Sequence, residues 1–421
     1  MLTLFVRAFR IADLRRKLLF TLSLIALFRL GQILPSPGVD VVAVQRCLGS
    51  VRGGLAEMVQ LFSGGAMLKL SVFALGVMPY ITASIIMQLM AVLIPRLDAL
   101  RKEGKQQKIT QYTRYLTVAL AVLNATTVVA LARSGQLFPG CREPVLRDDG
   151  LLSIAVLVSV MVAGTCAVMW LGELITDRGI GNGMSILMFT QVVAVFPSYM
   201  STIFTMNGFA AVVILVSGVF LVAAVVFMEQ AQRRVPVQYA KRMVGRRTYG
   251  GTSTYIPLKV NQAGIVPVIF TSSLLYIPTL FAGQVPWLAP YLEGDHPLYM
   301  AGYFALIVAF AYFYVSITFN AVEVADNMRR FGGFVSGIRP GKPTAGYLSY
   351  VLSRLTAPGA VYLGVLALLP LIAFALLRDS STQQNFPFGG TSVLIMVGVG
   401  LDTVKQIEAQ LQQRNYEGLL R

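Results

Sequence analysis

One histidine and three cysteines in 421 residues leave little from which to build the usual centres of chemistry. His296 lies in a polar stretch outside every long apolar run, so a serine or cysteine nucleophile within such a run has no imidazole base to activate it. The other route to intramembrane hydrolysis, two facing aspartates at depth, is missing too: Glu173, Asp177, Glu323 and Asp402 all fall near the ends of apolar runs. No G-x-x-x-x-G-K-[ST] loop occurs, since Gly341-Lys342 is followed by Pro343, which argues against nucleotide hydrolysis. Cys47, Cys141 and Cys166 show neither ligand spacing nor an even count, so neither a disulfide framework nor a metal site is expected. The sequence therefore predicts no catalytic residue, no metal, no cofactor and no enzymatic activity.

Charge is scarce as well, at 13% of residues against 56% hydrophobic, and the mean hydropathy is +0.68. These values exclude an ordinary soluble domain and predict a polytopic membrane protein. In a soluble chain a net charge of +16 would suggest nucleic acid; here the placement of the charges carries the information. The apolar run from Leu18 leads into Pro35 and Pro37 without an A-x-A site, so the first span is expected to be retained rather than cleaved.

Runs near 20 apolar residues predict ten spans, at about 18–34, 71–94, 115–132, 151–172, 184–206, 209–228, 260–282, 299–322, 355–377 and 391–411. The last carries Asp402, Lys405 and Glu408 in its second half and is expected to project beyond the lipid there. Of the 35 Lys and Arg, 27 fall in segments on the side of the N-terminus and 7 on the other, with Arg29 inside the first span. The positive-inside rule then places both termini in the cytoplasm.

A shorter apolar piece, Leu55 to Met67, precedes the second span. As a helix it would be about 20 Å long against a hydrocarbon core of roughly 30 Å, so it must stop partway or lie on other protein. Gly64-Gly65 at its end permits a sharp bend. Half-length helices of this kind occur where a membrane protein builds a cavity.

The ten spans divide five and five at Asn207-Gly208, giving an N-terminal half, 1–207, and a C-terminal half, 208–421. Because five is odd, a repeat relating them must be inverted. Gly76-x-x-Pro79 and Gly264-x-x-Pro267 recur near the start of the second span of each half, where they are expected to weaken the helix. Two cytoplasmic segments are long and basic: 229–259, in which Val and Tyr recur as in a short hairpin, and 323–347. Together they could hold an anionic partner such as RNA or acidic protein.

An inverted ten-span chain also suits a secondary solute transporter, the competing reading. Ion coupling normally needs ionisable groups near the midplane, whereas the polar residues at depth are mostly neutral: Gln88, Asn124, Gln262, Ser272 and Ser273. That pattern favours a path gated by apolar packing.

The segments FSGGAM, FALGVMPYITASIIMQL, KEGKQQKITQYTRY, MWLGELITDRGIGNGMSI, QRRVPVQYAKRMVGRRTY, IPLKVNQAGIVPVIF, GIRPGKPTAGY and FGGTSVLI, in order from about Leu14 to Tyr416, resemble the bacterial SecY family, the channel subunit of the general protein-translocation machinery. The resemblance implies an all-α integral membrane protein with ten transmembrane helices in two inverted five-helix halves around a central hourglass pore, located in the cytoplasmic membrane. It implies a plug at Leu55 to about Met67, including Leu55, Met58, Leu61, Phe62, Gly64 and Gly65. The apolar pore ring would be Val77, Ile81, Met184, Met188, Ile269 and Ile395. A lateral gate between the second and seventh spans would involve Ile85, Gln88, Asn124, Ser272 and Ser273, opened by a preprotein signal sequence toward membrane lipid. Arg242, Arg246, Arg247 and Arg339 would dock the SecA motor ATPase and the ribosome, and the small subunits SecE and SecG are implied partners. The spacing agrees in part: Val77 and Ile81, like Met184 and Met188, are four apart and share a helix face, and apolar rings exclude hydrated ions by dewetting.

Overall fold

Apolar segments in lipid must satisfy their own backbone, and the chain does so with helices. The computed structural model describes residues 9, 11–48, 63–135, 141, 145–146, 150–205, 208–239, 242–244, 247–249, 253–281, 296–376 and 390–419. The helices are α1 (Ala12–Ile33), α2 (Val41–Leu48), α3 (Met78–Leu93), α4 (Pro95–Lys102), α5 (Gln106–Arg133), α6 (Leu151–Arg178), α7 (Gly183–Thr205), α8 (Gly208–Gln230), α9 (Val266–Phe281), α10 (Pro297–Thr318), α11 (Ala321–Arg330), α12 (Lys342–Leu376) and α13 (Gly390–Leu419). A helix lies over each of the ten predicted apolar runs. Among the described residues, four helical stretches are long and apolar enough to cross a bilayer: Gln106–Arg133, Leu151–Arg178, Pro297–Arg330 and Lys342–Leu369. The outer faces fit that role, since α8 exposes Val212, Val216, Val219, Phe220 and Phe227, a surface that water would penalise and lipid would not.

The second run differs from its prediction. Its helix begins only at Met78, and Ser63 to Val77 is a succession of turns closed by Leu70 N to Met67 O at 3.1 Å, Ala74 N to Ser71 O at 3.0 Å and Gly76 N to Phe73 O at 3.0 Å. Gly64, Gly65 and Gly76 take the left-handed conformation, as does Leu70 at φ 47°, a fully buried side chain whose packing offsets the backbone cost. The two G-x-x-P sites also act otherwise than expected. Gly76 (φ 56°) and Gly264 (φ 60°) each end a turn, and Pro79 and Pro267 each fall at the second residue of the helix that follows. There the missing N–H is one that no helix would use, so these prolines start helices rather than weaken them.

The chain forms two compact units, residues 1–214 with 379–387 and 395–421, and residues 215–378 with 388–394. In the first, α5 packs on α3 and α6, and α6 packs also on α1 and α7. Glycines permit the close approaches: a Cβ on Gly164 would strike the Val72 carbonyl, and one on Gly183 the Gly172 carbonyl. The last helix runs unbroken through Asp402, Lys405 and Glu408, and its Ile407 is buried with Leu14 and Ile180. Cys47 and Cys141 form a disulfide, contrary to the sequence expectation; an odd count left one thiol over, Cys166, without excluding a pair among the three.

In the second unit α10 packs on α9 and α12. Its basic segments form strands β1 (Gln232–Tyr239), β2 (Arg242–Val244), β3 (Arg247–Tyr249), β4 (Ser253–Lys259) and β5 (Gly333–Val335). β1 lies between β4 and β5, antiparallel to both, with Val235 opposite Ile256 and Val237 opposite Val335. Val235 and Val237 alternate inward onto Leu258, Met328 and Leu348, and burying each such side chain stabilises by about 1.5–3 kcal/mol. The two long basic segments thus share one sheet.

Candidate pore and docking sites

Three of the residues expected in the apolar pore ring are set by two helix starts. Val77 precedes α3, and Ile81 N donates to the Val77 carbonyl at 3.2 Å, which stacks the two side chains one turn apart. Met184 owes its place to the turn before α7. Asn182 Oδ1 accepts from Met184 N at 3.1 Å and Ser185 N at 3.4 Å, an N-cap. Thr176 Oγ1 accepts from Gly183 N at 2.9 Å, and Thr21 Oγ1 accepts from Ile180 N at 3.3 Å. So pinned, Met184 lies on the bare face of Gly172 and joins Val77, Ile81, Phe73 and Leu171 in one apolar cluster. Met188 and Ile395 are buried in the same unit, and Ile269 is buried in the other. The structure therefore brings Val77, Ile81 and Met184 together.

Of the plug residues, Leu55, Met58, Leu61 and Phe62 lie outside the described residues. Gly64 and Gly65 form the turn that follows, both at positive φ. A Cβ on Gly64 would meet Gln191 backbone and Gln32 Nε2 at 3.2 Å.

Among the gate residues, Ile85 is buried and Gln88 is exposed on the same helix, its Nε2 3.5 Å from Ser84 Oγ. Asn124 is exposed on α5, and Ser272 donates to the Ile269 carbonyl at 2.9 Å within its own helix. The side chain of Ser273 lies outside the described residues.

Of the docking residues, Arg242 and Arg247 belong to the β2–β3 hairpin, whose register pairs Arg242 with Tyr249 and Val244 with Arg247; Arg246 lies outside the described residues. Arg339 is exposed in the loop between β5 and α12, shaped by Gly337 and Gly341 at positive φ and by Thr344 Oγ1 donating to the Arg339 carbonyl at 2.8 Å. On the sheet, the Arg234 guanidinium stacks 4.8 Å from the Tyr255 ring centroid. Between α4 and α5, Lys105 pairs with Glu103 at 2.7 Å and its hydrogen bond holds that carboxyl below its ordinary range.

Sequence reasoning passed over a further cluster, formed by Arg29, Gln32 and Gln191. Gln32 and Gln191 are 2% and 1% exposed. Arg29 Nη1 donates to Gln32 Oε1 at 2.6 Å, and Gln32 Nε2 donates to the Ser63 carbonyl at 3.3 Å. An arginine within an apolar run was the available signal, because such a charge is kept only with a partner.

With this geometry in hand, comparison with known proteins gives consistent results. The SecY family model matches residues 71–404. The protein translocase subunit SecY of Streptomyces galbus is 60% identical over 440 residues, with all of both chains covered. A solved protein conducting channel superposes with TM-score 0.66 at 19% identity, covering 93% of this chain and 91% of that one. Sec61 in a canine ribosome–channel complex from the endoplasmic reticulum gives TM-score 0.63 at 18% identity, with 93% and 91% covered.

Proposed function

The chain belongs to the SecY family of protein translocase subunits, and from that premise we propose how its own residues work. The protein is a multi-pass membrane protein and the channel-forming subunit of a translocase, not an enzyme; the energy for transport comes from outside the chain. Ten helices cross the cytoplasmic membrane in two inverted halves, 1–207 and 208–421, with both termini cytoplasmic, a topology supported by the charge bias.

Val77, Ile81, Met184, Met188, Ile269 and Ile395 form the waist, and the segment from Leu55 to Gly65 is the plug. The observation that carries this reading is the cluster in which Met184, placed by a capped glycine turn, meets Val77 and Ile81 just past the Ser63–Val77 turns. Apolar side chains there exclude ions by dewetting, and methionine's flexible thioether can part around a passing chain. A signal sequence, being an apolar helix, parts α3 from α9 and opens a way to lipid past Ile85, Gln88, Asn124, Ser272 and Ser273.

The sheet that joins both basic segments, with the β2–β3 hairpin and the Arg339 loop, is the cytoplasmic docking surface for the ribosome and for SecA. Its Lys and Arg suit RNA and acidic protein alike. SecE and SecG complete the assembly. The deciding experiment stalls a preprotein in the reconstituted translocase with cysteines at Val77 and Ile269. Crosslinks from both positions to the nascent chain are expected, and labelling of both by lipid-soluble probes instead would place the waist elsewhere.

A further inference from the structure

The waist and plug do not use the two buried glutamines beside them or the half-buried Arg29. Gln32 is fully committed. A guanidinium can only donate, so the Gln32 atom facing Arg29 is its oxygen, and its nitrogen therefore faces the Ser63 carbonyl. Gln191 differs. It is wedged between two glycine turns, its backbone against Gly64 and its Nε2 against Gly76, where a Cβ would collide with it. Both glycines have positive φ, so each turn brings bare backbone up to Gln191, the Gly64 turn to its main chain and the Gly76 turn to its amide. Gln191 Nε2 is buried and has no hydrogen-bond partner. Native proteins rarely leave a buried donor unpaired, and where they do the site stores a cost that another arrangement can relieve.

We infer that Gln32 and Gln191 are opposed positioning residues for the succession of turns that starts at Ser63–Gly65: Gln32 fastens that first turn through the Ser63 carbonyl, and the unsatisfied Gln191 amide, against Gly76 farther along, biases the succession toward release. Arg29 serves Gln32 by fixing which way its amide points. When the turns draw away from Gln191 as far as Gly76, its amide gains access to water and the cost of its bare donor disappears. The closed packing is thereby held by one side chain and kept reversible by another. This inference rests on the plug reading above, because release of this turn is what frees the segment ahead of it.

The two residues predict effects of opposite sign on one measurement, ion leak through the assembled, substrate-free translocase in proteoliposomes. Gln32→Leu removes the fastening and should raise the leak about ten-fold, the scale of one buried hydrogen bond. Gln32→Glu, which keeps an acceptor for Arg29 but cannot donate to Ser63, should raise it as well, and Gln32→Asn, too short to reach, covers a variant that fails to assemble. Gln191→Met, of similar size and without the bare donor, should lower the leak and slow signal-sequence opening several-fold. Gln191→Met and Gln32→Leu moving the leak in the same direction, or neither moving it, would overturn the inference. Deleting residues 55–65 separates the two levels: a leak from the deletion with no response to the point variants ends only this inference, whereas no leak from the deletion ends the plug reading itself.

Discussion

Cys47 and Cys141, 94 residues apart in sequence, are joined by a disulfide that ties the end of α2 to the connection between α5 and α6. Beside it Asp40 N donates to the Val145 carbonyl at 2.9 Å and Val39 bridges to Leu146, so the two connections are paired by backbone as well. Disulfides persist on the oxidising side of a membrane. On the topology proposed above both cysteines lie outside, the side to which the charge bias assigns them. Denatured chains from native membranes should take one maleimide label, at Cys166, before reduction and three after. Three labels before reduction would place these connections in the reducing compartment and reverse the topology. Cys47→Ala should lower thermal stability by roughly 2–4 kcal/mol, the usual return from closing a long loop.

Arg114 and Glu173 hold α5 to α6 by a two-pronged contact, Nε to Oε1 at 2.8 Å and Nη2 to Oε2 at 2.7 Å. The arginine side chain is 44% exposed and the glutamate 20%, so losing the arginine charge should cost more than losing the fork alone. Arg114→Lys keeps the charge and loses the fork, at a cost of about 0.5–1 kcal/mol. Arg114→Met leaves a largely enclosed carboxylate without its partner and should cost about 1–3 kcal/mol. Thermal unfolding in detergent ranks the two variants, and no loss from Arg114→Lys would mean that the fork geometry contributes nothing.

How far the chain could be read from its residues depended on the range of the interaction. Ten apolar runs carry helices because each run satisfies its backbone locally; the recurring Val and Tyr of 229–259 became strands whose pairing is near for β1 with β4 and distant for β1 with β5. The late start of α3 was harder to see: Leu70 has no residue-level signature of a left-handed conformation, and only the surrounding core holds it there. The disulfide depends on two connections meeting in space, which no spacing encodes. Gln32 and Gln191 sit far apart in separate apolar runs, where each looks like a routine interhelical hydrogen bonder. Met184 was expected in the pore ring only through family motifs; its position comes from Thr21, Thr176 and Asn182, residues with no apolar pattern of their own.

The G-x-x-P sites yield a prediction that contrasts glycine with proline. Pro79→Ala and Pro267→Ala act at the second residue of a helix, where a standard residue is tolerated, and should each change stability by less than about 1 kcal/mol. Gly264→Ala forces a side chain into φ 60° with open space around it and should cost about 1–2 kcal/mol from the backbone alone. Gly76→Ala carries the same backbone cost at φ 56° and also displaces the Gln191 amide, so it should be the most damaging of the four. Unfolding midpoints in detergent test the order. A gain in stability from Pro79→Ala or Pro267→Ala would restore the view that these sites weaken helices.

Arg339 presents its charge from a loop that its own backbone helps to fix, since its carbonyl is the acceptor for the buried Thr344 hydroxyl. The side chain and the loop can therefore be separated by mutation. Arg339→Glu removes the exposed cation and leaves the carbonyl bond in place, so the subunit should insert and assemble normally while SecA-driven export of a preprotein is lost. Thr344→Val keeps the arginine but frees the loop, and should weaken export several-fold while a higher SecA concentration restores it, because a loosened docking element loses affinity rather than its contact. Export measured in proteoliposomes over a range of SecA concentrations distinguishes the two. Normal export by Arg339→Glu would remove this arginine from the docking surface, and a Thr344→Val defect that excess SecA fails to restore would assign the loop a part in a later step than binding.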